Sequence, residues 1–131
     1  MLDYKPNMVL SGASGLSRAM PEEVAAKTLD CLKRVVPAAI PGIVFLSGGQ
    51  SDDEATVNLD AINKRATNLG APWQLSFSYG RGLQQAALKV WSGKEGNVQQ
   101  AKKAFYHRAR LTSAARQGNY TPDMEMEPSP A

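Results

Sequence analysis

The order of its segments predicts that this chain folds as an α/β protein with a parallel sheet. Three short apolar or alternating segments begin near Lys5, Ile43 and Trp73, about 38 and 30 residues apart, a spacing that suits right-handed βαβ units. Each leads into a loop and then a helical pattern, so the chain reads β-loop-α-β-loop-α-β-loop-α-α. Three strands are few for such a sheet, which normally has about five to eight, so the chain reads as part of a larger architecture.

Residues 5–10 form the first extended segment: Pro6 turns Lys5 away from helical angles, and Met8-Val9-Leu10 is apolar. A glycine- and serine-rich loop, 11–20, precedes a helix that opens at Pro21. Glu22 and Glu23 sit at the positive end of its dipole, Lys33 and Arg34 at the negative end. Its expected buried stripe is Val24, Thr28, Cys31, Leu32 and Val35, ended by Pro37 and Pro41. Ile43-Val44-Phe45-Leu46 is a continuous apolar run, as in a strand covered on both faces. After Ser47-Gly48-Gly49-Gln50, Ser51 and Glu54 have capping-box spacing and open a helix that buries Ala55, Leu59 and Ile62 and is broken by Asn68, Gly70 and Pro72. Trp73, Leu75 and Phe77 alternate with Gln74, Ser76 and Ser78, a period-2 strand running to Tyr79-Gly80-Arg81-Gly82. The next helix packs through Leu83, Ala87, Val90 and Trp91. The last, from about Asn97 to Gln117, packs through Val98, Ala101, Phe105, Ala109, Thr112 and Ala115. One domain over residues 1–120 is expected, with 121–131 a flexible tail.

Composition narrows the class. With 131 residues, 43% hydrophobic and 21% charged, the chain is an ordinary globular domain rather than a disordered or fibrous one. No apolar run nears the roughly 18 residues of a membrane span, and the first residues lack the apolar core of a secretory signal. Cys31 is the single cysteine, which excludes internal disulfides and cysteine zinc clusters and points to the cytoplasm. No metal-ligand spacing occurs. All 15 Lys and Arg lie within residues 1–120, where an excess of positive charge suits phosphorylated metabolites or nucleic acid.

In parallel α/β folds the chemistry gathers where strands end. Those places hold Lys5, Ser47-Gly48-Gly49 and Ser78-Tyr79-Gly80-Arg81. The two glycine turns lead into helix N-termini, which offer backbone N–H groups to an anion, and Arg81 adds a guanidinium fork suited to phosphate. One glycine loop alone is most simply a tight turn; two in tandem with Arg81 favour a phosphate site. Lys5 reads either as a solvated lysine or as a Schiff-base nucleophile, whose amine must lose its proton from an ordinary pKa of about 10.4. His107 has no triad partner nearby and reads as a surface or packing residue. Lys102, Lys103, Arg108, Arg110 and Arg116 spread around the last helix as a solvated face rather than a nucleic-acid stripe.

Taken together, Lys5-Pro6-Asn7-Met8-Val9, Gly42 to Ser51 (GIVFLSGGQS) and Leu75 to Arg81 (LSFSYGR) resemble class I fructose-1,6-bisphosphate aldolase. The likeness continues through Asn58 to Lys64 (NLDAINK) and Gln117 to Pro122 (QGNYTP), and its details lean toward bacterial versions. The resemblance implies a (β/α)8 TIM barrel, of which this chain would be the C-terminal three βα units, strands 6–8. It further implies metal-free, cofactor-free cleavage of fructose 1,6-bisphosphate into dihydroxyacetone phosphate and glyceraldehyde 3-phosphate. By the same resemblance Lys5 forms the imine, Ser47 and Gly48 hold one substrate phosphate, and Ser78, Gly80 and Arg81 make the second set of phosphate contacts. A cytoplasmic homo-oligomer, tetrameric in the family, with a sugar-phosphate substrate and no nucleic-acid or membrane partner is implied too.

The departures have consequences. Asp3 and Tyr4 stand where the family has a buried apolar strand, Ser11-Gly12 replaces a usual Pro-Gly, and Met20 replaces a usual serine cap. The family's first five βα units, with their acid–base residues, and its C-terminal tyrosine have no counterpart here; Tyr120 matches an internal position. The isolated chain is therefore expected to be nearly inactive. The alternative is a non-catalytic remnant that keeps the phosphate site, or a module that a partner completes; nucleic-acid binding by the last helix is a third reading.

Overall fold

The computed structural model describes residues 3–128. Readings that rest on Met1-Leu2 or on Ser129-Pro130-Ala131 lie outside the described residues. Six main elements follow in order: α1 (Pro21–Val35), β1 (Gly42–Phe45), α2 (Asp52–Leu69), β2 (Gln74–Phe77), α3 (Arg81–Trp91) and α4 (Val98–Arg116). The α/β alternation is as expected, and β1 and β2 pair in parallel with Ile43 opposite Leu75 and Phe45 opposite Phe77.

The Lys5 segment differs from the strand expected there. It lies alongside β1 with a single parallel bridge, Tyr4 to Ile43. Tyr4 N donates to Gly42 O at 3.2 Å, Val44 N to Tyr4 O at 2.9 Å and Leu46 N to Pro6 O at 3.0 Å. The next rung would need an N–H at residue 6, and proline has none. The segment thus keeps strand register without a full ladder.

Only one face of the sheet is covered. Ile43 and Phe45 are wholly buried and Leu75 nearly so, packed with Leu59, Ile62 and Leu111 from the helices. Val44 and Ser76, on the opposite face, are half-buried, and Leu46 is exposed, so the apolar run 43–46 is not covered on both sides. Trp73 is buried beside β2, its indole N–H donating to Pro37 O at 2.9 Å.

The α1 stripe is rotated from the expected one: Val24, Ala25, Thr28, Leu29 and Leu32 are buried, while Cys31 is exposed and Val35 is 65% exposed. Positions 25, 28, 29 and 32 share one face at three- and four-residue spacing, with 31 to its side; Val35 continues the stripe but is the last residue of the helix. α2 starts on Ser51, whose Oγ accepts from Glu54 N at 3.3 Å, and ends at Gly70 with φ 64°. α3 packs on α4 and buries only Gly82 completely; Trp91 and Phe105, expected to be packed, are each 43% exposed.

The region after α4 departs most from its sequence reading. Residues 122–126, within the expected flexible tail, form a 3-10 helix, and Tyr120 just before it is buried. The cause is Arg108, which composition placed on a solvated face and which is buried instead. Its Nη1 and Nη2 donate to the Glu125 carboxylate, each at 2.8 Å, and Nη2 also donates to Thr56 Oγ1 at 2.7 Å. The Tyr120 hydroxyl donates to Glu125 Oε1 at 2.8 Å, and Tyr120 N donates to Asp60 Oδ1 at 2.9 Å.

Burial alone would raise the Glu125 carboxyl; the hydrogen bonds from Arg108 and Tyr120 outweigh it and hold the group below its ordinary 4.5. A depressed carboxyl adds stability that is present above its unfolded pKa and disappears as pH falls through its folded value. Denaturant midpoints of the wild type should therefore drop below about pH 4.5 by more than those of Glu125→Gln. Arg108→Ala should cost about 1.5–3 kcal/mol at neutral pH, read from urea unfolding, because it strands a partly buried carboxylate.

Candidate active site

The strand register assembles the site from residues far apart in sequence. Tyr4 sits beside Ile43, and side chains alternate along an extended segment, so Lys5 shares the uncovered face of the sheet with Val44 and Ser76. Lys5 is exposed there. The loops that follow β1 and β2 rise from the same edge. Ser47 lies one strand over from Lys5 and three residues further along, roughly 10 Å in the strand direction. That separation is within what a lysine stem and a small phosphorylated ligand span together.

The two loops present anion donors in different ways. In the first, Gly48 and Gly49 have φ of 59° and 81°, successive left-handed residues that only glycine adopts easily. Neither of their N–H groups donates to another backbone carbonyl among the described residues, which leaves a concave pair of donors. The N-terminus of α2 is not part of this grip: Ser51 caps it and Asp52, Asp53 and Glu54 occupy its first turn. Of the two helix termini expected to serve an anion, the first is capped by Ser51 and only the second lacks a side-chain cap. A Cβ on Gly48 would lie 3.0 Å from Asn7 Oδ1, so the loop closes directly over the segment that carries Lys5.

The second loop ends in an uncapped helix. Gly80 is the N-cap of α3 and no side chain bonds to the first turn, so the macrodipole and free N–H groups face outward. Ser78 N donates to Phe45 O at 2.8 Å, and its hydroxyl is half-buried at the end of β2. Arg81, exposed at the first helical position, adds the cation.

Sequence reasoning did not find the residues that hold these loops. Tyr79 is buried, and its hydroxyl donates to Ala55 O at 2.9 Å; burial raises its phenol well above the ordinary 10, so it stays a donor. A Cβ on Gly82 would meet the Tyr79 ring at 3.2 Å, so this glycine lets the ring lie flat on the start of α3. Gln50 is buried beneath the first loop, with its Nε2 2.9 Å from Ser47 O. The aromatic at 79 fits the alternation of β2 and could have been suspected. Gln50 had no signal, because a polar residue after two glycines reads as solvent-facing. Arg108 of α4 lies near both loops, where its charge acts on Asp52 and on Tyr79.

Comparison with known proteins bears on this arrangement. The family model described as Fructose-bisphosphate aldolase class-I matches residues 2–130. The chain is 53% identical over 122 residues to fructose-bisphosphate aldolase 4, cytosolic, of Arabidopsis thaliana, covering 93% of this chain and 30% of that protein. It is 52% identical over 118 residues to the non-muscle aldolase of Lethenteron camtschaticum, covering 90% of this chain and 32% of that one. Among solved structures, fructose-bisphosphate aldolase from Plasmodium falciparum, in complex with TRAP and a small-molecule inhibitor, superposes with a TM-score of 0.84 at 46% identity, over 91% of this chain and 33% of that one. These relatives are eukaryotic, so the lean toward bacterial versions is not supported. The chain spans about a third of the length of the curated relatives it matches. By its match over almost every residue, the chain belongs to the class I fructose-bisphosphate aldolase family.

Proposed function

We propose that this chain supplies the nucleophile and the phosphate grip of a fructose-bisphosphate aldolase. One observation carries the reading: the register that sets Lys5 on the open face of the sheet, beneath two loops whose donors suit phosphate. The Lys5 amine adds to the ketone carbon of fructose 1,6-bisphosphate, water leaves, and a protonated imine forms. That imine accepts the electron pair of the breaking carbon–carbon bond, so glyceraldehyde 3-phosphate departs and dihydroxyacetone phosphate stays bound until hydrolysis. No metal takes part in this sequence. Ser47 and Gly48 hold one phosphate, and Ser78, Gly80 and Arg81 the other.

In this reading the segment is three βα units of a (β/α)8 barrel, strands 6–8 over residues 1–120. The bare face around Val44, Leu46 and Ser76 supports it, because a barrel interior would cover that face. The bare face also favours the second reading, a module completed by a partner or a further copy, with the family tetramer as one such assembly. The cytosolic and cytoplasmic names of several relatives support a cytoplasmic setting.

Incubation with dihydroxyacetone phosphate and borohydride should yield a single reduced adduct by intact mass, mapped to Lys5 and absent in Lys5→Arg. Arg81→Ala should raise the half-saturating ligand concentration about 10- to 150-fold, the loss of one charged hydrogen-bonding group. Cleavage of fructose 1,6-bisphosphate by this segment should stay about 10²–10⁴-fold below that of a complete aldolase, the range that acid–base groups carried elsewhere in a barrel would contribute. Adducts spread over other lysines and unaffected by Lys5→Arg would overturn the reading.

A further inference from the structure

Gln50 lies where three elements meet. Its side chain is buried, 8% exposed for the whole residue, between the β1 loop, the Lys5 segment and α2. Nε2 donates to Ser47 O at 2.9 Å and approaches Met8 Sδ at 3.5 Å. Oε1 accepts from Asn58 Nδ2 at 2.7 Å, and Asn58 is itself buried on α2. The backbone N–H of Gln50 donates to the same Ser47 carbonyl at 3.1 Å, so that carbonyl is fixed twice by one residue. Met8 is three residues past Lys5 on the same segment and is 4% exposed.

We infer that Gln50 is a positioning residue: its carboxamide ties the Ser47-Gly48-Gly49 loop to the segment bearing Lys5, so that phosphate grip and nucleophile act on one ligand at once. The inference rests on the functional reading above and adds the part that couples its two halves. Only a carboxamide fits the three contacts, because the group must donate toward Ser47 and Met8 and accept from Asn58 at the same time. A glutamate would set a carboxylate oxygen against the Ser47 carbonyl, and a leucine would leave Asn58 Nδ2 without its acceptor and Ser47 O with the backbone N–H alone. A glutamine serving stability alone would make the same bonds. The difference between the two roles is that a positioning residue acts on a phosphorylated ligand and not on its phosphate-free analogue.

The test compares borohydride trapping at Lys5 by dihydroxyacetone phosphate and by dihydroxyacetone, in the wild type, Gln50→Leu, Gln50→Glu and Asn58→Ala, quantified on the Lys5 peptide. The wild type should prefer the phosphorylated ketone. Gln50→Leu and Gln50→Glu should lower trapping of the phosphorylated ketone by about tenfold or more while trapping of dihydroxyacetone changes by less than about twofold, as expected when a group is misplaced rather than lost. Asn58→Ala, which frees one end of the carboxamide, should fall in between, and it serves where Gln50→Leu fails to fold. A parallel fall for both ketones would leave Gln50 a purely structural residue and overturn the inference. So would a phosphate preference that survives in all three variants, with the functional reading intact. A wild type that traps neither ketone at Lys5 would remove the functional reading itself, and the role of Gln50 with it.

Discussion

Four buried polar residues on more than one face of α2 hold its neighbours in place. Thr56, Asn58, Asp60 and Asn63 are all buried on this one helix, and each spends its side chain on a different neighbour. Thr56 accepts from Arg108 of α4, Asn58 donates to Gln50 of the first loop, Asp60 accepts from the backbone of Tyr120, and Asn63 Nδ2 donates to Ala115 O at 3.2 Å. The Ala55 carbonyl takes the Tyr79 hydroxyl from the second loop. An unpaired polar group in such a place costs about 1–3 kcal/mol, so these bonds fix where each neighbour sits more than how strongly it is held. Apolar packing gathers the helices, and these polar bonds set their registry.

That division of labour matches the two faces of the sheet. The covered face, with Ile43, Phe45 and Leu75, is a close-packed core that ends at α2 and α4. The opposite face carries Lys5, which is exposed, and Ser76, which is half-buried. The proposed nucleophile therefore sits on the less packed side, while the loops above it are held from the other side through Gln50 and Tyr79.

Much of this was legible in the sequence. Pro21, the Ser51–Glu54 pair and Gly70 mark helix ends because caps act through local geometry, and Trp73-Leu75-Phe77 marks β2 because alternation does too. Lys5 and both glycine loops were found at strand ends for the same reason. What stayed hidden depends on partners distant in the chain. Arg108 reads as solvated until Glu125, 17 residues on, and Thr56, 52 residues back, are brought to it. Glu125 in turn reads as part of a frayed acidic tail. Cys31 fits a three-residue spacing from Thr28, yet the buried face of α1 runs through Ala25, Thr28, Leu29 and Leu32 and leaves it exposed.

The contrast between a capped α2 and an uncapped α3 makes the site electrically lopsided. At the first loop the donors are neutral amides beside three acids, Asp52, Asp53 and Glu54; at the second, a dipole end and the exposed Arg81 face the solvent. Ions screen exposed charges beyond about 8 Å at physiological ionic strength, and they barely affect short contacts to backbone N–H groups. Long-range capture of an anion therefore belongs to the α3 end, and close-range fit to the glycine pair. On the proposed reading, a ligand with two phosphates would enter with one end preferred, and dissolved salt would set how strongly.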